Sequence, residues 1–480
     1  MFSRLNIIVS TWLIAGTIPV IAQETPRQVS FEESLQMLYD NNKSIQIASK
    51  EVEIAKAEHA RLNAFWYPNI SAAGTYMHFS NKIEVKEPLN NLTNPVKDFI
   101  HNILPDDQII TGILDKIGSY TLNFPLMPQN VTTIDANLMW PIFTGGKRIY
   151  ANKIGKSMVE AARVNHAQVA AFSQVALVDS YFALRLGERV VAVRKQAFDA
   201  LNENYNNALK MEENGIINKA DRLVVQVGME EAKREYEAAQ KQYHVAQQAF
   251  KSLIEMEGNE YVIPTTPLFI NDSIPSVLYY KAILPGGNYM INQIQIQEQM
   301  AKYQEKIGKT GYAPNIALIG KQTLYAHGIE KNLIPRSMIG VGFTWNIFDG
   351  LDREKKIRQA KLATQSLELG KEKAMNELSV AIDKFYSQIE QAKDNVTALN
   401  STVALSKELV KMRKKAFAEG MATSTEVVDA QVGLAKVQVA YLLAYYQYDS
   451  ALINLLSLCG MPQEFTNFKD SGKNDSLIFD

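Results

Sequence analysis

One cysteine in 480 residues, Cys459, leaves no pair for an internal disulfide framework. It also lies too far from the start of the chain to be an N-terminal lipid anchor. The six histidines, at positions 59, 78, 101, 166, 244 and 327, show no metal-ligand spacing, so no metal site is read. Charge of one sign is missing too: 50 basic residues balance 51 acidic ones, which argues against nucleic acid as a partner. No Ser or Cys nucleophile motif appears. The stretch FTGGKR fails the phosphate-loop pattern, because Pro141 stands where that pattern needs Gly and Arg148 where it needs Ser or Thr. With no catalytic group and no cofactor motif, the sequence does not read as an enzyme. After residue 22 there is no run of 18 or more apolar residues, so no helical membrane span is expected.

What is present is a duplication. WPIFTGGKRIYANKIGKSMVEAA begins at Trp140 and WNIFDGLDREKKIRQAKLATQS begins at Trp345, a shift of 205 (345 − 140). The same shift carries Tyr181 to Tyr386, Gly215 to Gly420, Gln226 to Gln431 and Tyr243 to Tyr448 without a gap. Upstream, WYPNI around Pro68 answers GYAPNI around Pro314 at a shift of 246 (314 − 68), so the first copy holds 41 extra residues (246 − 205) between the two markers. Residues 1–22 carry Arg4, an apolar run and Val20-Ile21-Ala22 before Gln23, and read as a secretory signal peptide. The organisation expected is therefore a signal peptide at 1–22, a first repeat with linker at 23–287, a second repeat at 288–460 and a polar C-terminal tail at 461–480.

Each repeat is mostly helical. Residues 31–64 show apolar positions at helical spacing with no Gly or Pro inside, and Ser30 is a plausible N-cap. This predicts one helix of about nine turns, ended by Pro68. A second pattern runs from about Ile149 to Met211, ends at Gly215, and is followed by a third from Lys219 to Met256. At 1.5 Å per residue these measure roughly 50, 95 and 55 Å, so the short pair laid end to end matches the long one. Repeat two gives the same arithmetic with helices near 288–310, 351–418 and 423–458. Polar residues cover much of both sides, as in LVVQVGMEEAKREYEAAQ, which fits helices with water inside and outside. A plain long-helix bundle fits the helices equally well.

The segments between the helices discriminate. Residues 131–143 alternate, placing Ile134, Ala136, Leu138, Trp140 and Ile142 on one face and Thr133, Asp135 and Asn137 on the other. Residues 338–348 likewise place Ile339, Val341, Phe343, Trp345 and Ile347 opposite Gly340, Gly342, Thr344 and Asn346. With the companion segments after Pro68 and Pro314, each is about 10 to 12 residues, the length of a tilted strand crossing a bilayer. Leu138, Trp140, Ile142, Phe343, Trp345 and Ile347 are the candidate lipid-facing residues. Four strands cannot close a barrel, and an open edge in lipid leaves backbone groups unpaired at several kcal/mol each. Three copies would supply twelve strands around a watery lumen.

On these marks the chain resembles the TolC family of outer-membrane efflux proteins, the outer-membrane factors, over about residues 30–460. The resemblance implies a mainly α fold with a β-barrel portion, in which a long helical coiled-coil barrel continues a transmembrane barrel built from four strands per chain and closed as a homotrimer. It further implies a channel in the cell outer membrane, with its helical tunnel in the periplasm. Function would be a passive exit duct of a tripartite efflux or type I secretion system. Its partners would be outer-membrane lipid, a periplasmic adaptor (membrane fusion) protein and an inner-membrane RND or ABC transporter.

The helix-turn-helix tips would form the periplasmic entrance. In ENGIINKADRLVVQV and AEGMATSTEVVDAQV, Gly215 and Gly420 can end one helix in the left-handed conformation, and Asn218 or Ser424 can cap the next. Glu426 and Asp429, three apart, share a helix face. By resemblance they match the acidic pair that narrows the family's entrance, where threefold symmetry gathers six carboxylates into a cation-favouring ring. Acids near a helix N-terminus also simply favour the helix dipole. The family's latch uses a basic residue two positions after the second glycine, and here that residue is Ala422; Phe417 replaces an aromatic phenol. Asp221 keeps the acidic place, beside Arg222 and Lys219, which are the remaining latch candidates. Gly215, Ile216, Ile217, Gly420, Met421 and Ala422 are small or apolar and are the adaptor-docking candidates by resemblance.

Two segments lie outside this scheme. The extra residues from about Ser80 to Asn130 include Phe99, Ile100, Ile103, Leu104, Ile109, Ile110, Ile113 and Leu114, spaced for one or two amphipathic helices broken at Pro105, and they belong at the outer mouth. The link from Pro264 to Gly287 and the stretch after Pro462 are expected to belt the helices. The competing reading is a periplasmic helical adaptor or scaffold without a pore, which explains long helices but not two alternating strand pairs.

Overall fold

The computed structural model describes residues 26–103, 108–258, 260–328 and 335–475. The expected signal peptide, Leu104 and Pro105 lie outside the described residues. In chain order, the first repeat contains β1 (Pro26–Val29), α1 (Phe31–Asn41), α2 (Lys43–Asn63), β2 (Asn69–His78), β3 (Ile83–Pro88), α3 (Asn90–Ile103), α4 (Gln108–Gly118), β4 (Thr121–Met127), β5 (Asn130–Thr144), α5 (Lys147–Glu213) and α6 (Lys219–Leu253). A link holds β6 (Tyr261–Pro264), β7 (Phe269–Ile270) and α7 (Val277–Gly287). The second repeat contains α8 (Tyr289–Thr310), β8 (Asn315–His327), β9 (Ser337–Thr344), α9 (Asp352–Ala418) and α10 (Ser424–Leu458), and the tail adds α11 (Glu464–Asp470) and β10 (Lys473–Asn474). Two compact units cut across these repeats, one of residues 50–164 and 293–373, the other of the remaining segments; α5 and α9 contribute to both.

The strand unit is a four-stranded antiparallel sheet in the order β2-β5-β8-β9. Its two hairpins have one register. Asn69 pairs Met139 in the first and Asn315 pairs Thr344 in the second, so shifts of 246 and 205 convert one hairpin into the other. Register separates the faces as the alternation requires. Ser71 pairs Asn137, Ala73 pairs Asp135 and Thr75 pairs Thr133. Asp135 accepts a hydrogen bond from the Thr323 hydroxyl at 2.7 Å and an ion pair from Lys321 at 2.8 Å, and all of these lie on the polar face. Tyr76, Ile134, Leu138, Trp140, Ile339, Val341 and Phe343 lie on the other.

Trp345 and Ile347 correct the expected strand boundary: β9 ends at Thr344, so both sit in the following turn. β5 runs on to Thr144 because β8 pairs it that far, Thr144 lying opposite Asn315, whereas β9 already meets Asn315, the first residue of β8, at Thr344. The indoles mark the junction instead. Trp140 Nε1 donates to the Trp66 carbonyl at 3.0 Å, and Trp345 Nε1 to the Tyr312 carbonyl at 3.1 Å.

The helical unit corrects a second expectation, since the single helix foreseen over 31–64 breaks at Asn42. This residue takes an extended conformation and caps α2 by accepting from the Ser44 and Ile45 amides, while its Nδ2 donates to the Leu253 carbonyl. Asn288 repeats each contact, accepting from Met290 and Ile291 and donating to Leu458. Side-chain capping inside an otherwise continuous apolar pattern overrides helical periodicity at both sites.

The core of this unit is aromatic: Phe31, Tyr181, Phe182, Phe250, Phe269, Tyr448 and Phe465 are fully buried. The link and tail dock onto it. β1 pairs β6 in parallel and β10 pairs β7 antiparallel. The Tyr181 hydroxyl donates to the Val29 carbonyl and accepts from the Thr266 amide, and Tyr448 donates to and accepts from the Asn271 backbone. The tail expected to be polar therefore contributes Phe465 to the core. α5 and α10 each hold an 18-residue window apolar enough to cross a bilayer, and 44% and 50% of those windows are buried within the chain.

Asp449 on α10 is wholly buried. Burial pushes its carboxyl well above the usual range; nearby Asp475 adds to the rise and the Phe269 backbone amide opposes it. A carboxyl whose folded pKa is raised costs stability at pH values above its unfolded pKa, and that cost shrinks as pH falls from the folded toward the unfolded value. We therefore expect Asp449→Asn to raise the melting temperature of the detergent-solubilised protein at pH 7.5 and to flatten its rise on acidification. A lower melting temperature at both pH values would refute this.

Candidate functional site

The candidate entrance is the pair of turns at Glu213–Lys219 and Ala418–Ser424. Gly215 (φ 68°) and Gly420 (φ 74°) take the left-handed conformation that ends α5 and α9. Around them the backbone bonds repeat at the 205 shift: Gly215 N to Glu212 O and Ile216 N to Met211 O become Gly420 N to Phe417 O and Met421 N to Ala416 O. Asn218 caps α6 through the Asp221 amide, as expected. Ser424 does not cap α10. Thr423 does, forming a capping box in which Glu426 accepts from the Thr423 amide, and Ser424 is buried inside the helix. The repeat itself specifies this, because 218 + 205 is 423.

The expected site residues separate by exposure and partner. Glu426 is engaged twice, in the capping box and with Arg413 at 3.4 Å, whereas Asp429 is exposed one turn along. Of the latch candidates, Arg222 turns inward to Glu212 at 2.6 Å and Gln226 at 2.6 Å, Lys219 is exposed and Asp221 is half-buried at the third position of α6. Of the docking candidates, Ile216 and Met421 are 65% and 72% exposed. Ile217 instead packs on a small cluster of Leu201, Ala208, Val225, Met229, Ala232 and Val428 that joins α5, α6 and α10. Gly228 makes that junction possible: a Cβ there would stand 2.6 Å from Val428 Cγ1.

Where the strand pairs meet their helices, two arginines that no sequence motif marked carry the junction. Arg148 donates to the Phe65 and Ile142 carbonyls with its guanidinium 4.4 Å over Trp66. Arg353 donates to the Gly311, Asn346 and Ile347 carbonyls and lies 4.0 Å over Tyr312. Each clamps the chain entering a strand pair to the chain leaving it, through planar donors and cation–π contact. FTGGKR is this clamp rather than a phosphate site. The signal was available, since Arg148 maps onto Arg353 at 205.

Residues 287–461 match the family described as outer membrane efflux protein. A search of curated proteins finds no match. Among solved structures the fold is similar to CusC, described as forming a transmembrane channel (14% identity, TM-score 0.71, covering 90% of this chain and 92% of that one). It is similar also to the outer membrane protein VceC of Vibrio cholerae (13%, 0.68, 90% and 96%) and the CmeC outer membrane channel of Campylobacter jejuni (15%, 0.65, 98% and 98%). Residues 287–461 thus match the outer membrane efflux protein family, and the chain shares the fold of these channels over 90% or more of its length.

Proposed function

We propose that three copies of this chain close a twelve-stranded barrel in the outer membrane and a helical tunnel in the periplasm, as the passive exit duct of a tripartite efflux or type I secretion system. One observation carries the closure. Within the chain, β5 of repeat one pairs β8 of repeat two. The repeat relation converts that pairing into β9 against β2 of the next copy, and β9 and β2 are the two edges of the sheet. A heterologous contact of this kind closes into a ring, and a polar face inside with an apolar face outside suits a watery lumen in lipid. Ile216 and Met421, exposed at equivalent turns, would dock a periplasmic adaptor that couples the duct to an RND or ABC transporter of the inner membrane.

Asp429 with Glu426 would gather six carboxylates at the entrance, and Arg413 beside Glu426 leaves Asp429 the stronger bearer of free charge. Detergent-purified protein in a planar bilayer should show a cation-selective conductance. Glu426→Ala plus Asp429→Ala should enlarge it and lower cation selectivity, with Asp429→Ala alone giving most of the selectivity change. A pore whose selectivity is unchanged in the double variant would remove the acidic ring. A protein that stays soluble without detergent and forms no pore would move the reading to the periplasmic scaffold.

A further inference from the structure

The hairpin of α3 and α4 is built with its apolar side out. Leu92, Val96, Phe99 and Ile103 follow one another at four, three and four residues along one face of α3, and all are exposed. Ile109, Ile113 and Ile117 repeat at four along α4 and are exposed as well. The two helices meet instead through a small and polar stripe. Thr93 and Gly118 are buried there, a Cβ on Gly118 would lie 2.4 Å from Asn90 Oδ1, and Lys97 bridges to Asp115. A hairpin that stood alone in water would do the reverse.

Position and charge indicate what covers this face. The β3–β4 ribbon that carries the hairpin continues β2 and β5, tied by Phe79 N to Gln129 O at 2.7 Å and Gln129 Nε2 to Ser80 O. The hairpin is thus rooted on β2, the strand edge that the proposed closure pairs with a neighbouring copy. Helices that bind lipid surfaces carry a basic polar face. Here Lys97 and Lys116 are matched by Asp98 and Asp115, which leaves no basic rim for lipid headgroups. Around a threefold axis each copy presents the same apolar face to the others. Six helices, each about 10 Å across, would gather at the mouth of a barrel narrower than the 16- to 18-stranded porins.

We propose that the three α3–α4 hairpins pack their apolar faces on one another and constrict the outer mouth of the duct. This rests on the trimeric-duct reading. The test uses full-length protein in outer-membrane vesicles and planar bilayers. Phe99→Cys, treated with a short bismaleimide, should give covalent dimers between copies, and Phe99→Glu plus Ile113→Glu should raise single-channel conductance at least twofold. Cys459 will not interfere, being buried with its thiol pushed up to about 11. Overturning results would be free labelling of Phe99→Cys by an impermeant maleimide without dimers, or protection without dimers, which would place lipid or another protein on the face. Unchanged conductance in the Glu variant would likewise overturn it, because wild-type conductance measured alongside shows whether the duct itself stands.

Discussion

Oxidising or bridging a chain that carries Thr75→Cys and Gly342→Cys will convert it into covalent dimers and trimers, with nothing larger on a denaturing gel. Between the two register shifts, from Asp135 to Pro141, β5 and β8 pair so that residue numbers sum to 458, as in Leu138 with Gly320 and Trp140 with Leu318. Adding 205 to the β5 residue and subtracting 246 from the β8 residue changes that sum to 417, which places Gly342 opposite Thr75 of the next copy. Face parity provides an independent check. Thr75 pairs Thr133 and Gly342 pairs Ala317, both on the polar side of the sheet, and a one-residue slip would set a polar-face residue against an apolar-face one. A bond within one chain is ruled out, because β2 and β9 are opposite edges three strand spacings apart, about 14 Å. Moving the second cysteine to Gly340 keeps the face but changes the register, and the yield should fall sharply. Equal yields from both positions would mean a mobile or differently registered seam; adducts beyond the trimer would mean an open array rather than a ring.

The fold was legible where one physical period ran unbroken. Alternation located β5 to the residue on either side, and helical spacing with left-handed glycines located both turns. The misses share a cause. Asn42 and Thr423 act through side-chain hydrogen bonds to backbone amides, which override or shift a boundary without disturbing the apolar pattern. β9 stopped short because strand length depends on a partner strand as well as on the strand's own residues. At the entrance, sequence placed Glu426 and Asp429 on one face but could not show that Arg413, thirteen residues before Glu426 (426 − 413), would come to rest beside it. The repeat was the stronger guide throughout: Arg148 with Arg353, Asn42 with Asn288 and Asn218 with Thr423 are all recovered by applying the two shifts consistently.

The same relation predicts a contact between copies at the tips. Gly228 of α6 lets α10 approach through Val428. Adding 205 turns Gly228 into Gly433, and subtracting 205 turns Val428 into Leu223. Within one chain Gly433 has nothing within 4 Å of where a Cβ would stand, and Leu223 is 44% exposed, so both are without a counterpart until a second copy arrives. Gly228→Val should destabilise the chain itself, because overpacking of this kind costs about 1–3 kcal/mol and Val428 has one strongly preferred helical rotamer. Val428→Ala should restore much of that loss. Gly433→Val should leave the single chain intact yet lower the temperature at which the detergent-solubilised trimer dissociates, since the penalty recurs at three contacts per ring. Leu223→Ala, not Val428→Ala, should rescue it. Double-mutant cycles on dissociation temperature should therefore couple 228 with 428 and 433 with 223 by about 1–3 kcal/mol, and leave the crossed pairs near additive. If 433 and 223 prove independent while 228 and 428 couple, the tips do not follow the repeat, and the entrance of this duct is arranged with threefold rather than near-sixfold order.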